Sequence, residues 1–349
     1  MTRTARPPKI PPMAYITITL NHLRAVKAWA DAEEAFMRLD LRTWELDVRC
    51  RNRYFHFAPR FLAQRSGRSF HTQELVAHVT GFIGWLPYGL LRYDLSDDKL
   101  VFKAFAAAAG LRVPAQWEAE APRGDYILKQ SVGSFGYEIT GPYRAGTEPA
   151  RKPSGAQAGT PAQQGRLFAE QFIAGDALKV WFWGREAFFA HRQARPQVQG
   201  DGRSTVRGLV AHRLHLDPHA LDQTAEFPQL LDALAYQALA LEDVLAPGRS
   251  AWLDFRYGRT YEDEAFQAWS DSLLEALPDA SRADVDRIGA ILGTELQKRF
   301  AVPVLFAVDA VIDPDGTPWW LEVNSNPVLP PDGYARIFGT LFGEGRPPN

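Results

Sequence analysis

Two carboxylates and a carboxamide stand close together near the end of the chain, where residues 308–330 read VDAVIDPDGTPWWLEVNSNPVLP. Asp309 opens the stretch, and Glu322 and Asn324 follow two residues apart. Between them Asp313-Pro314-Asp315-Gly316 is a turn signal, in which Pro and Gly preset the backbone angles, and it predicts a hairpin of strands over 305–312 and 319–323. Side chains alternate faces along a strand, so Glu322 and Asn324 share one face and Val323 takes the other. A register set by the turn can bring Asp309 across to the same face. Three hard oxygen donors grouped in this way suit Mg2+, which keeps places for water and phosphate oxygens. Acidic residues on strands are often edge residues on a solvated face. Charged residues are depleted in strands, however, and Trp319, Trp320, Leu321 and Val323 imply a packed setting.

Further upstream are residues suited to polyphosphate. Lys129 ends the apolar run Tyr126-Ile127-Leu128 and is followed by Gln130-Ser131-Val132-Gly133-Ser134-Phe135-Gly136. An ammonium is a point charge for phosphate oxygens, and small residues let backbone N–H groups approach them. The stretch lacks the Gly-Lys-Ser/Thr ending of a P-loop, and a glycine turn alone is also an ordinary hairpin. Lys99 opens a helical pattern with Ser96 as its expected N-cap and Gly110 as its stop; a lone helix lysine is most often a solvated charge. Gly200-Asp201-Gly202-Arg203-Ser204-Thr205 reads as a surface turn capping a helix over 205–212, and a helix N-terminus is also an anion site.

In this order the motifs resemble those of the ATP-grasp superfamily, which includes D-alanine–D-alanine ligase, glutathione synthetase, cyanophycin synthetase and tubulin–tyrosine ligase. The resemblance covers residues 98–330. It implies that Asp309, Glu322 and Asn324 bind two Mg2+ ions, or Mn2+ in their place, that bridge the phosphates of ATP. It implies that Lys99 and Lys129 reach those phosphates and that a loop containing Ser131, Gly133, Ser134 and Gly136 folds over them. Glu170, Gln171 and Ile173 match the linker that bonds the adenine edge. Lys179 matches a basic residue four after a glycine, here Gly175, although the acidic residue often found two before it is Ala177 in this chain. Asp201, Ser204 and Thr205 resemble the GDG-ST loop of cyanophycin synthetase. Arg256 falls where the family places an arginine facing the transferring phosphate, and Arg256 or Arg195 would stabilise the oxyanion. The implied reaction activates a carboxylate as an acyl phosphate and joins it to an amine. A phosphotransferase or a non-catalytic ATP-binding regulator would share the nucleotide residues.

The elements that must position these residues read as an α+β chain, and the resemblance implies an ATP-grasp fold: two α+β lobes clamping ATP, with a small N-terminal α/β lobe. The expected divisions are 1–94, 95–190 and 191–349. A strand is expected over 15–20, a helix over 25–38, and strands near 39–48 and 54–57. Strands over 126–130 and 137–140 precede a mobile surface loop over 141–165, rich in Gly, Pro and Ala. Strands over 167–173, 178–183 and 187–192 read as one antiparallel meander, and helices are expected over 230–245 and 285–300.

Composition bounds the function classes. The chain has 349 residues, a formal charge of −2 and 46% hydrophobic residues, which suits a packed globular protein and argues against an overall polyelectrolyte partner. The single cysteine, Cys50, makes neither an intramolecular disulfide nor a Cys/His metal cluster. No apolar run is long enough for a membrane span, and the first residues do not read as a secretory signal. The expectation is a soluble cytoplasmic protein whose partners are small-molecule or peptide carboxylates and amines, without nucleic acid or membrane; a homodimer is compatible.

Overall fold

The computed structural model describes residues 12–65, 68–118, 120–133, 139–153, 165–257 and 272–343. The chain opens with helix α1 (Pro12–Ala32) and strands β1 (Phe36–Leu39), β2 (Leu46–Cys50), β3 (Arg53–Arg65), β4 (Arg68–Thr72) and β5 (Val79–Leu86). The strands form one antiparallel sheet in the order β1-β2-β3-β4, with β5 also paired to β3. The expected strand over 15–20 and helix over 25–38 are instead one helix ending at Ala32, followed by β1. The run Ile16-Thr17-Ile18-Thr19 favours a strand locally, but the buried residues Thr19, His22, Val26 and Ala30 recur every three to four positions and fix a helical face.

Next come α2 (Asp94–Asp97), α3 (Lys99–Ala108), β6 (Gln116–Trp117), β7 (Tyr126–Gln130), β8 (Ile139–Tyr143) and β9 (Leu167–Gln171), the strands pairing antiparallel in the order β6-β9-β7-β8. Residues 141–143, expected as loop, belong to β8. They are held there because Asp232 accepts from Gly141 N and the Tyr143 hydroxyl. Residues 154–164 of that expected loop lie outside the described residues.

The third group comprises β10 (Asp176–Trp183), β11 (Glu186–Gln193), β12 (Gln197–Gln199), α4 (Val206–Arg213), α5 (Phe227–Tyr236), β13 (Ser250–Trp252), α6 (Asp279–Gln297), β14 (Leu305–Ile312), β15 (Pro318–Asn324) and α7 (Gly333–Phe342). A second antiparallel sheet runs β11-β10-β14-β15. The expected meander therefore divides: β9 stays in the β7 sheet, and the chain crosses at Gly175 into β10. A Cβ at Gly175 would lie 2.2 Å from the Ile312 carbonyl oxygen, so only glycine fits that crossing. Helix α5 ends at Tyr236, short of the expected 245, with Ala238 in the left-handed region (φ 55°).

The β10–β14 sheet is buried on both faces. Leu178, Val180 and Phe182 of β10 and Phe306, Val308 and Ala310 of β14 pack toward α3 and α6. The alternate residues Trp181, Trp183, Leu305 and Ala307 share a core with Phe57, Phe61, Phe82 and Trp85 of the N-terminal sheet and with α7. A separate small core unites α4, α5, β12 and β13. The fold is thus α+β, built on antiparallel sheets.

Candidate active site

On β10 the side chains of one face run Trp183, Trp181, Lys179, and on β14 they run Leu305, Ala307, Asp309. The apolar face toward the N-terminal sheet gives way to charge at the same level on neighbouring strands. The register sets Lys179 opposite Asp309, Asp309 opposite Glu322, and Ala307 opposite Asn324, with a bulge after Asp309. Bulges re-aim side chains and are common beside active sites. Val323 is buried on the reverse face, as alternation requires. Lys179 Nζ lies 2.7 Å from Asp309 Oδ1, and Asn324 Nδ2 donates to Asp309 Oδ2 at 3.0 Å.

Helix α3 delivers two lysines to this row. Asp98 caps it by accepting from Leu100 N at 2.8 Å; Ser96, the expected cap, lies within α2 and donates to the Tyr93 carbonyl. Lys99 N donates to the Ser131 carbonyl, and the Ser131 hydroxyl donates to Asp98 Oδ2 at 3.1 Å, so the helix start is tied to the end of β7. Lys99 Nζ then reaches Glu322 Oε2 at 3.2 Å and donates to the Gly133 carbonyl at 2.5 Å.

One turn later on the same face is Lys103, which sequence reasoning missed. It is fully buried, and its Nζ lies 2.7 Å from Glu170 Oε2, while Lys129 Nζ lies 2.7 Å from Glu170 Oε1. The available signal was its i, i+4 spacing from Lys99 within the stripe of Leu100, Phe102 and Ala106. Burial pushes Glu170 up, but Lys103 and Lys129 outweigh it and hold the carboxyl below its ordinary range. Burial pushes Glu322 up as well; Lys99, Lys129 and Lys179 together hold it low. Asp309 is raised, by burial first and with Lys179 opposing. Lys99, Lys103, Lys129 and Lys179 thus interleave with Glu170, Asp309 and Glu322 along the seam between the two sheets.

The other expected residues are placed as follows. Gln171 accepts from Ala115 N at 3.2 Å through its side chain, and Ile173 is half-buried just before the crossing. The Glu170 side chain faces Lys103 and Lys129. Asp201 accepts from Arg203 N, Ser204 N and the Ser204 hydroxyl, and Thr205 caps α4 by accepting from Gly208 N, so this loop is organised locally. Arg195 lies over the Trp252 ring at 5.2 Å, and Trp252 stacks near Phe172 of the linker. Arg256 is held by buried Asp254 through Nε and Nη2. Its neighbour Tyr257 has its ring centroid 5.4 Å from Lys179 Nζ, which brings this segment beside the charged row. Ser134 and Gly136 lie outside the described residues.

By residue type Asp309, Glu322 and Asn324 are a hard-oxygen donor set, with both carboxylates paired to lysines and Asn324 Nδ2 turned to Asp309. No group of three or more His, Cys, Asp or Glu among the described residues has metal-binding geometry. Two carboxylates and one amide oxygen are the partial cage Mg2+ takes when phosphate completes its shell. Among the described residues no helix is long and apolar enough to cross a membrane.

No family model and no curated protein matches the chain. Among solved structures it is similar to a bifunctional glutathione synthetase from Pasteurella multocida, at 13% identity over 93% of this chain and 44% of that one, with a TM-score of 0.42. It is similar to D-alanine–D-alanine ligase from Bacillus anthracis at 11% identity over 72% of this chain and 64% of that one, TM-score 0.35. An L-amino acid ligase from Bacillus licheniformis matches at 12% identity over 71% and 46%, TM-score 0.31. The chain spans less than two thirds of the length of each of these three proteins. By name all three are synthetases or ligases.

Proposed function

We propose that the chain is an ATP-dependent, Mg2+-requiring carboxylate–amine ligase of the ATP-grasp type. The observation that supports this reading best is the charged seam: Lys99 and Lys129, from separate elements of one half, meet Lys179, Asp309 and Glu322 of the other half. Bound Mg–ATP would supply the phosphoryl group that converts a substrate carboxylate to an acyl phosphate, from which an amine forms the amide. Asp309, Glu322 and Asn324 would hold the metal. Lys99, Lys129 and Lys179 would neutralise charge on the phosphate oxygens, the main contribution a protein makes to such transfers. Glu170 presents Lys129 in a fixed position, and the segment at Gly133 would keep water from a reactive intermediate.

The experiment measures ADP and amide together, with pooled carboxylates present and amines present or absent. Amide formation with stoichiometric ADP is expected. Glu322→Gln should lose turnover by orders of magnitude while circular dichroism shows a folded chain. Lys129→Ala should weaken ATP binding by about 1.5–3 kcal/mol, the worth of a charged hydrogen bond. A stable phosphorylated acceptor and no amide across a broad amine panel would require the ligase reading to be abandoned.

A further inference from the structure

Arg60, on β3, is fully buried, and neither Nε nor Nη1 has a hydrogen-bond partner among the described residues. The third nitrogen, Nη2, donates to Asn326 Oδ1 at 2.7 Å. A buried guanidinium is normally matched by a carboxylate, because an uncompensated charge in an apolar interior is costly. Here the groups acting on its charge are the phenols Tyr88 and Tyr334, and burial lowers its pKa to about 10. His71 feels the Arg60 charge, but burial pushes its pKa down to about 4, so it is neutral at ordinary pH.

The position of Arg60 is as informative as its lack of an anion. Asn326 is two residues beyond Asn324, whose Nδ2 bonds Asp309. Its carboxamide is itself fixed, Nδ2 donating to the Leu91 carbonyl at 2.7 Å and Oδ1 accepting from Leu91 N at 3.1 Å. The ladder between β3 and β5 shifts register directly after Arg60, which is paired with Gly84. A fully buried cation, two of whose nitrogens lack a partner among the described residues, is therefore held beside the loop that follows the carboxylate row. Guanidinium matches a carboxylate through two parallel hydrogen bonds, and here the fork would take Nε or Nη1 together with the second hydrogen of Nη2, whose first goes to Asn326.

We propose that Arg60 is the receptor for a carboxylate of the substrate, placing the small-acid subsite at the junction of the N-terminal sheet and the 325–327 loop. This inference rests on the ligase reading for its connection to catalysis, and it assigns that reaction's acid to a residue outside the nucleotide motifs.

The test is a side-chain NMR titration of the full chain, following the Arg60 Nε resonance, assigned by its loss in Arg60→Lys. The probes are millimolar sodium formate and acetate, with formamide as the neutral control and inorganic phosphate as the competing anion. Formate and acetate should shift the resonance saturably, formamide should not, and Arg60→Lys should bind formate roughly tenfold more weakly, as for one lost charge-assisted hydrogen bond. No shift with either carboxylate overturns the proposal, and so does tighter binding of phosphate than of formate. A second measurement does not depend on titration. Arg60→Met removes an uncompensated buried charge and should leave the melting temperature unchanged or raised; a large drop would mark Arg60 as a structural tie for Asn326. Thermal stabilisation by Mg2+ with a non-hydrolysable ATP analogue is recorded in parallel. Its absence sinks the ligase reading, whereas its presence without a formate response sinks the Arg60 proposal alone.

Discussion

Glu170 is one carboxylate facing two buried ammonium groups, each 2.7 Å from one of its oxygens. Without its charge, Lys103 and Lys129 are left together in an apolar surround, a loss that costs about 3–5 kcal/mol. Glu170→Gln should lower stability to urea by about that amount, and Lys103→Met, which leaves one ion pair intact, should cost less. The lysines overcome burial and hold the folded-state pKa of Glu170 low. A depressed value stabilises fully above the unfolded carboxylate pKa of about 4.3, and this contribution is lost as pH falls through the folded value. The stability gap between wild type and Glu170→Gln should therefore be constant near neutral pH and close in acid. A gap that persists at low pH would show that Glu170 acts by packing and not by charge. At this scale the sequence is legible where a charged residue interrupts an apolar pattern on a strand, as at Lys129, Asp309 and Glu322. Lys103 is not legible alone, since one lysine in a helix stripe gains meaning only when Glu170 is seen opposite. Arg60 is hidden for the same reason: nothing local to β3 reveals that it meets Asn326.

At the scale of elements, strand positions follow from alternation and turn residues, but sheet membership depends on partners distant in sequence. The hairpin of β14 and β15 is legible because its turn, register and faces all lie within twenty residues. The division of the expected meander is not, because β9 and β10 have similar patterns and the close approach at Gly175 appears only once Ile312 is placed beside it. Gly175→Ala tests that crossing. Its Cβ would meet the Ile312 carbonyl oxygen at 2.2 Å and Val311 Cγ1 at 2.8 Å, both in the strand that carries Asp309. The reduced freedom of the unfolded chain favours alanine by about 0.4–1 kcal/mol, while forcing an atom into a packed site costs about 1–3 kcal/mol. A lower melting temperature is expected, together with weaker Mg–ATP binding if β14 shifts. A neutral or more stable variant would show that the crossing relaxes freely and that another interaction separates the sheets.

Across the whole molecule, the N-terminal sheet and the C-terminal helix meet on one face of the sheet that carries the charged row. Phe338 of α7 is fully buried, with its ring centroid 4.7 Å from that of Trp29 in α1 and 5.0 Å from that of Phe57 in β3. The same core includes Trp181, Phe189 and Leu305 from the central sheet. Residues some three hundred positions apart therefore share one apolar volume, and the N-terminal segment contributes to the packing on which Lys179 and Asp309 stand. Truncating a buried phenylalanine to alanine costs about 3–5 kcal/mol, because the cavity left behind collapses only in part. Phe338→Ala should lower stability by about that much. If the shared core couples the halves, far-UV circular dichroism and tryptophan fluorescence should report one transition, moved together to lower denaturant. If the N-terminal sheet and α7 formed a unit of their own, the variant would instead show an early transition followed by a second at the wild-type midpoint. Mg–ATP added to the variant separates the cases further. A ligand bound only by the native fold stabilises the cooperative unit that contains its site. In a coupled molecule it should raise the single Phe338→Ala transition, and in an uncoupled one it should move only the later step.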